Sequence, residues 1–336
     1  MKVLHIPYGS PMIELCRALR LKGVDATSCH FSENAFKFKS DECLKLNLLT
    51  SHDERENKIK RFLQEATQQY DIFHFHFGET FFPDKRDLAI LKQAGKKMVV
   101  HHHGSDIRLL SVAKSFNNPY IRVKPEWTEE KIYKNVATLS KYIDHAIVQD
   151  HELEGYISNL YKHTHVIPHT VDVNQFKAQY PDVKKSSPII VHAPTLRDLK
   201  GTEYILNAVN ELKRSGLSFQ FKLIEGMTYD ETINLLSQSD IVIDQLRIGA
   251  SGYISSEAMA FGKPVICYIR DDLVSKYPSG LPIVNANPST ITNVLKDLIL
   301  NPQRRNELSI KGRKYVEMYH HAPIVADRYI EIYKSL

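Results

Sequence analysis

Arg197 and Lys200 stand three residues apart, just past the apolar run Ile189-Ile190-Val191, in the segment His192-Ala193-Pro194-Thr195-Leu196-Arg197-Asp198-Leu199-Lys200-Gly201. Two fixed cations at a strand end can stabilise the charge that grows on a diphosphate leaving group. They favour that transition state over the ground state. Further on comes Gly249-Ala250-Ser251-Gly252-Tyr253-Ile254-Ser255-Ser256-Glu257. Glycines let backbone amides come close to a phosphate at a helix N-terminus, and a carboxylate such as Glu257 can accept both hydroxyls of a ribose diol. Gly249, Ala250, Ser251, Gly252, Tyr253 and Ile254 are therefore binding candidates beside Arg197, Lys200 and Glu257. The bland alternative is a pair of solvated charges before one helix, and a glycine turn before another whose glutamate favours its N-terminus.

The first half of the chain offers His101-His102-His103-Gly104-Ser105-Asp106 after an apolar segment at 98–100. His103 and Asp106 can hydrogen-bond sugar hydroxyls, and Gly104 permits a sharp turn. Three adjacent histidines suggest a metal, but neighbours along a strand point to opposite faces, so no metal is expected here. His74 and His76 alternate with Phe73, Phe75 and Phe77 and read as packed strand residues. Gly9-Ser10-Pro11 is half of a dinucleotide fingerprint and reads as a turn whose amides, at Gly9 and Ser10, touch a phosphate or an acceptor. The sequence contains neither a G-x-S-x-G elbow nor a Walker pattern, which leaves acyl-transfer hydrolysis and P-loop chemistry unsupported.

Strand-like segments at 3–6, 26–31, 72–77, 98–102, 146–148 and 165–167 must position the first group. Helical patterns at 12–22, 58–70 and 132–142 separate them. A second series, at 189–192, 219–224, 241–244, 265–269 and 283–284, alternates with helical patterns at 203–213, 255–261 and 291–300. Such alternation predicts an α/β fold with parallel sheets and crossover helices. The expected organisation is a Rossmann-like domain over 1–178, a polar, proline-bracketed linker over 179–187, and a second Rossmann-like domain over 188–321. The two doubly wound domains are expected to face each other across a cleft, with a helix from about 322 to 336 packing back on the first.

The 336 residues carry a formal net charge of +5, with 43% hydrophobic and 25% charged residues, as expected of a globular protein able to bury a large core. The charge suits phosphates but is too small to indicate nucleic acid. Cys16, Cys29, Cys43 and Cys267 form no C-x-x-C pair, in keeping with a reducing compartment. Without a signal-like or spanning apolar run, a cytoplasmic location is expected. Arg55, Lys58, Lys60 and Arg61, near Ile59, Phe62 and Leu63, read either as a basic amphipathic face for peripheral association with anionic lipid or as a solvated helix.

Taken jointly, these segments resemble the retaining glycosyltransferases of family 4, which have the two-domain GT-B fold. The resemblance spans nearly the whole chain and rests on the order and separation of several motifs. These are Phe75-His76-Phe77-Gly78, His103-Gly104-Ser105-Asp106, and Val166-Ile167-Pro168-His169-Thr170-Val171-Asp172 with Phe176. The second half adds Lys200-Gly201-Thr202 and Glu257-Ala258-Met259-Ala260-Phe261-Gly262-Lys263-Pro264-Val265. It implies that Arg197 and Lys200 bind the diphosphate of a nucleotide-sugar donor, Glu257 its ribose, and His103 the sugar near the reacting carbon. Gly9 would lie by the phosphates or the acceptor. The implied reaction needs no metal or bound cofactor and keeps the anomeric configuration, with the departing phosphate oxygen taking the acceptor's proton. The donor is expected to be UDP-linked and the acceptor a glycan, a lipid-linked sugar or a small molecule.

Two departures stand out. The family commonly has a second glutamate eight positions before the first, where this chain has Gly249. The stretch 225–230 also leads straight into the next helix, without the extra strand that often lines the nucleobase pocket. Two further readings stand beside the transferase: a UDP-sugar 2-epimerase of the same architecture, and a non-catalytic nucleotide-sugar-binding protein. Acceptor recognition is expected in loops 34–45, 79–86 and 107–127, with Tyr120 and Trp127 able to stack on a sugar ring.

Overall fold

A computed structural model describes all 336 residues except Tyr8 and Ala35. The chain divides into two compact units. The first comprises Met1–Leu109, Pro125–Thr170 and Ala322–Leu336, and the second comprises Leu110–Lys124 and Val171–His321. The division thus falls at 170/171 rather than near 178, and the segment Leu110–Lys124 belongs with the second unit rather than the first. One anchor of that segment is Asn118, whose buried amide donates to the carbonyls of Arg247 and Ile248 at 2.8 and 3.0 Å.

The first unit is built on β1 (Lys2–Ile6), β2 (Asp25–His30), β3 (Glu42–Cys43), β4 (Ile72–His76), β5 (Lys97–His101), β6 (His145–Val148) and β7 (His163–Val166). They form one parallel sheet in the order β3-β2-β1-β4-β5-β6-β7. The order reverses between β1 and β4, the place where open α/β sheets leave a crevice at their carboxyl ends. Along one face, Val3, Ile72, Val99 and Ile147 form an apolar base with the helices Gly9–Leu21 and Ala322–Ser335, through Leu15, Leu19, Val325, Tyr329 and Tyr333. Towards the carboxyl edge the same face changes to imidazole, because His5, His74, His76 and His101 lie at even spacing from those residues.

The second unit has β8 (Ile189–His192), β9 (Gln220–Leu223), β10 (Ile241–Ile243), β11 (Val265–Cys267) and β12 (Val284–Asn285). They pair in parallel in the order β12-β11-β10-β8-β9. Alternation along the strands feeds two cores. Val191, Val242 and Val265 face one, while Ile190, Ile241, Ile243 and Ile266 face the other. A sheet covered on both faces has near-continuous apolar strands, which is why these read so clearly in the sequence. The switch point lies between β8 and β10, at His192 and the residues after Ile243.

No helix among the described residues is long and apolar enough to cross a membrane. In the helix His52–Gln69, Arg55, Lys58, Lys60 and Arg61 are exposed, but Leu63 and Ala66 are buried. Phe62 packs 5.9 Å from the ring of Phe81. The apolar side of this helix therefore covers the interior, and the charged side alone is open to a surface.

Candidate functional site

The carboxyl edge of β8 turns through a four-residue helix, Arg197–Lys200, into the longer helix Thr202–Arg214. Gly201 joins them with φ of +77°, and a Cβ there would come within 3.2 Å of Leu246 Cβ, so both the conformation and the space call for glycine. The turn directs Lys200 at the switch point. Its Nζ donates to Asp244 Oδ1 at 2.9 Å and to Gln245 Oε1 at 2.8 Å. The Lys200 side chain is 14% exposed and that of Asp244 is fully buried.

Asp244 also organises the glycine-rich turn. Its Oδ2 accepts from the Gly252 backbone N–H and from Ser255 Oγ at 2.7 Å. Burial raises the pKa of this carboxyl, but Lys200 and the hydrogen bonds from Ser255 and Gly252 outweigh it, leaving the carboxyl below its ordinary value. Gln245 Nε2 donates to the Ala250 carbonyl. One lysine and the first turn of the helix Tyr253–Ala260 are thereby held around one carboxylate. Gly252 is needed for close approach, since a Cβ would lie 2.9 Å from Asp244 Oδ2 and 3.0 Å from Lys200 Nζ. Gly252→Ala should therefore push the ion pair apart and cost about 1–3 kcal/mol of stability, the usual range for overpacking. Urea unfolding measures this cost, and wild-type stability would contradict the arrangement.

Glu257 lies in the second turn of that helix, buried, with Oε1 accepting from Tyr229 Oη at 2.6 Å. Tyr229 opens the helix Tyr229–Gln238, whose N-terminus is fixed by a capping box between Thr228 and Glu231. Among the described residues no strand lies between β9 and this helix. His192, at the end of β8, donates from Nδ1 to the Ile243 carbonyl at 2.8 Å and accepts at Nε2 from Thr202 Oγ1 at 2.9 Å. Its burial lowers the pKa to about 4, so the ring is neutral.

Arg197 is placed differently from Lys200. Its guanidinium is half exposed and pairs with both oxygens of Glu225 at 2.8 and 2.6 Å, with Glu203 at 3.5 Å. Glu225 raises the arginine's pKa and Arg197 lowers that of the glutamate. A phosphate reaching Arg197 must displace a carboxylate. Gly249 has φ of +93°, and a Cβ there would lie 2.8 Å from Arg270 Cγ, so the stem of Arg270 occupies the space a side chain would need. Ala250 is buried, while Ser251, Tyr253 and Ile254 are partly exposed along the turn.

Sequence reasoning missed Asp244, Gln245 and Tyr229. The Asp244 signal was available, as a lone carboxylate ending an apolar strand, but no spacing rule ties it to Lys200. It missed Arg247 too, which is buried, donates to the Asp198 carbonyl at 2.9 Å, and holds its guanidinium carbon 5.2 Å from the centre of the Tyr204 ring. Beside this region, a cavity of about 770 Å³ is lined by Leu110, Lys114, Asn117, Asn118, Ile121 and Arg122.

In the first unit, Gly9 begins the helix Gly9–Leu21 with φ of +34°, and Ser10 is buried. Asp106 does not present its oxygens to solvent. It is fully buried, accepts from the backbone N–H of His103 and Gly104 at 3.0 and 2.9 Å, and pairs with His102 Nδ1 at 2.6 Å. Its geometry is that of a clamp shaping the loop. His103, partly exposed, approaches His76, with Nε2 3.1 Å from His76 Nδ1. The alternation argument against a metal holds for His102, which faces away. It fails for His101 and His103, which share a face and whose rings lie 4.2 Å apart.

No protein-family model matches the sequence, and no curated protein matches it significantly. Solved structures do resemble it in fold. HepE (Alr3699) of Anabaena, in complex with UDP and glucose, superposes with a TM-score of 0.68 at 16% identity, covering 100% of both chains. Sucrose-phosphate synthase (tll1590) of Thermosynechococcus elongatus gives 0.65 at 15% identity, covering 99% of this chain and 98% of that one. A putative UDP-N-acetylglucosamine 2-epimerase of Listeria monocytogenes gives 0.59 at 16% identity, covering 99% and 96%. The fold is GT-B. It is common to transferases and epimerases, so the chemistry must be argued from the site.

Proposed function

We propose that this GT-B chain is a glycosyltransferase that moves a hexosyl unit from a UDP-linked sugar to an acceptor hydroxyl, without a metal and with retention of configuration. The observation carrying it is the convergence of Lys200, Asp244 and Gly252 at the β8/β10 switch point, with Glu257 in the same helix held by Tyr229. Lys200 and the first-turn amides of the helix Tyr253–Ala260 take the diphosphate, and Glu257 takes the ribose hydroxyls. As the bond from the anomeric carbon to the β-phosphate oxygen breaks, charge grows beside the Lys200 ammonium. The departing oxygen receives the acceptor's proton while the acceptor oxygen bonds to the same face of that carbon. Arg197 assists once Glu225 is displaced. The resemblance implies sugar or phosphate contacts for His103, Gly9 and Ser10 of the first unit, where Asp106 shapes the loop that carries His103. The cavity lined by 110–122 is a candidate for part of the acceptor.

Calorimetric titration with UDP tests the donor site. Micromolar to low-millimolar binding is expected, with a loss of at least tenfold in Glu257→Gln, and no binding of UDP or GDP at millimolar concentration contradicts the reading. A 2-epimerase is the second reading, favoured by the epimerase of the same fold. Incubating a UDP-sugar without acceptor separates the two, because an epimerase converts the sugar whereas a transferase leaves it or hydrolyses it slowly.

A further inference from the structure

We propose that His76, His101 and His103 form a binding site for a divalent transition-metal ion at the carboxyl edge of the first unit's sheet. The three come from neighbouring positions, the end of β4, the end of β5 and the turn after it, and His76 is the register partner of His101. One ring nitrogen from each lies within 4.8 Å of the others. The His76 Nδ1 and His103 Nε2 atoms are already 3.1 Å apart. A tetrahedral ion with bonds of roughly 2.0–2.1 Å sets its ligand nitrogens roughly 3.3 Å apart. Small rotations of the rings therefore suffice to close the set.

The donors are chemically ready. Burial keeps the rings of all three histidines neutral, well below their ordinary pKa, so lone pairs are available at neutral pH. His101 keeps Nδ1 near Tyr329 Oη at 3.4 Å, and its buried Nε2 has no hydrogen-bond partner among the described residues. Such an orphaned buried nitrogen is costly unless something occupies it. The remaining nitrogen of His76 faces His5 Nδ1 at 3.1 Å, and His5 in turn contacts Tyr333 Oη at 3.3 Å. Outer contacts of this kind fix a ligand ring's tautomer and direction. Neutral imidazoles favour zinc, copper, nickel or cobalt over magnesium or calcium. A second triad, His5, His74 and His76, is wholly buried, whereas His103 is partly exposed and gives the chosen set a route for the ion.

The ion site is independent of the proposed transfer reaction, and its readout involves no nucleotide sugar. An ion held there would occupy His103, so it would inhibit any reaction needing that ring free. The experiment is cobalt titration of the full-length, chelator-treated protein at pH 7.5, read by visible absorption. One equivalent should develop the intense bands of a four- or five-coordinate site, and zinc should bleach them. His101→Gln and His103→Ala should each weaken cobalt by more than about 100-fold, beyond the effect of losing an outer contact alone. Circular dichroism checks that each variant is folded, and the partly exposed His103 supplies a test should His101→Gln fail to fold. His163→Ala addresses the other histidine group, on β6 and β7, where His145 Nδ1 lies 3.1 Å from His165 Nε2. It should leave the bands intact. No intense bands in the wild type, or bands lost in His163→Ala and kept in His101→Gln, would overturn the proposal.

Discussion

Replacing Lys200 by methionine should lower turnover of the nucleotide sugar by about 10²–10³, or roughly 3–4 kcal/mol of transition-state stabilisation. It should also destabilise the fold. The Asp244 carboxylate is fully buried and, among the described residues, its charged partner at hydrogen-bond distance is the Lys200 ammonium. Stripped of that cation it keeps, among the described residues, hydrogen bonds from neutral groups: Ser255, Gly252 and, at 3.9 Å, the Cys267 thiol. Breaking one side of a buried pair commonly costs about 3–5 kcal/mol. A second variant separates the two effects. Lys200→Met combined with Asp244→Asn removes both charges, so urea unfolding should recover much of the lost stability while turnover stays low. Wild-type turnover in a folded Lys200→Met protein would place the chemistry elsewhere.

Acid should unfold this protein at mild pH. His192 is held neutral with its pKa near 4, and burial, reinforced by Arg20, lowers that of His5 to about 3. In the unfolded chain both titrate near 6.5. A histidine whose folded pKa is lowered contributes fully above the unfolded value, and that contribution is lost as pH falls from 6.5 towards the folded pKa, because the unfolded state binds the proton first. Between pH 6.5 and pH 5 each of the two groups should cost about 2 kcal/mol, at 1.36 kcal/mol per unit. Their sum is a large share of an ordinary domain's stability of about 5–15 kcal/mol. His74, His76, His101 and His103 act in the same direction. The Asp244 pair, whose carboxyl pKa is lowered, should fail only at still lower pH. Calorimetry from pH 7 to pH 5 should show a steep fall in Tm and an uptake of two or more protons on unfolding. A flat Tm over that range would mean that the imidazoles are not buried as described.

The alternation of apolar runs with helical patterns was enough to read the two parallel sheets, because strands covered on both faces need uninterrupted Val and Ile. The runs at 189–192 and 241–244 correspond to β8 and β10 within a residue or so. The weak two-residue strand β3 (Glu42–Cys43) had no such signature, since it exists only through its pairing with Cys29 and His30 at the sheet edge. The grouping of Leu110–Lys124 with the second unit has no local signature either, as nothing local reveals that Asn118 reaches carbonyls 129 and 130 residues away.

Residue type and order alone determined that this chain is an α/β protein with cations and a glycine turn at the ends of strands. Tertiary structure decided which of those residues act as a group. It tied Lys200 to Asp244, 44 residues on, turned Arg197 outward to Glu225, and closed Asp106 inside its own loop. It also gathered imidazoles from β1, β4 and β5 onto one face. The physical reason is that spacing along a chain fixes only which face a side chain takes. Strand order and register, set by burial of the whole sheet, decide what that face meets.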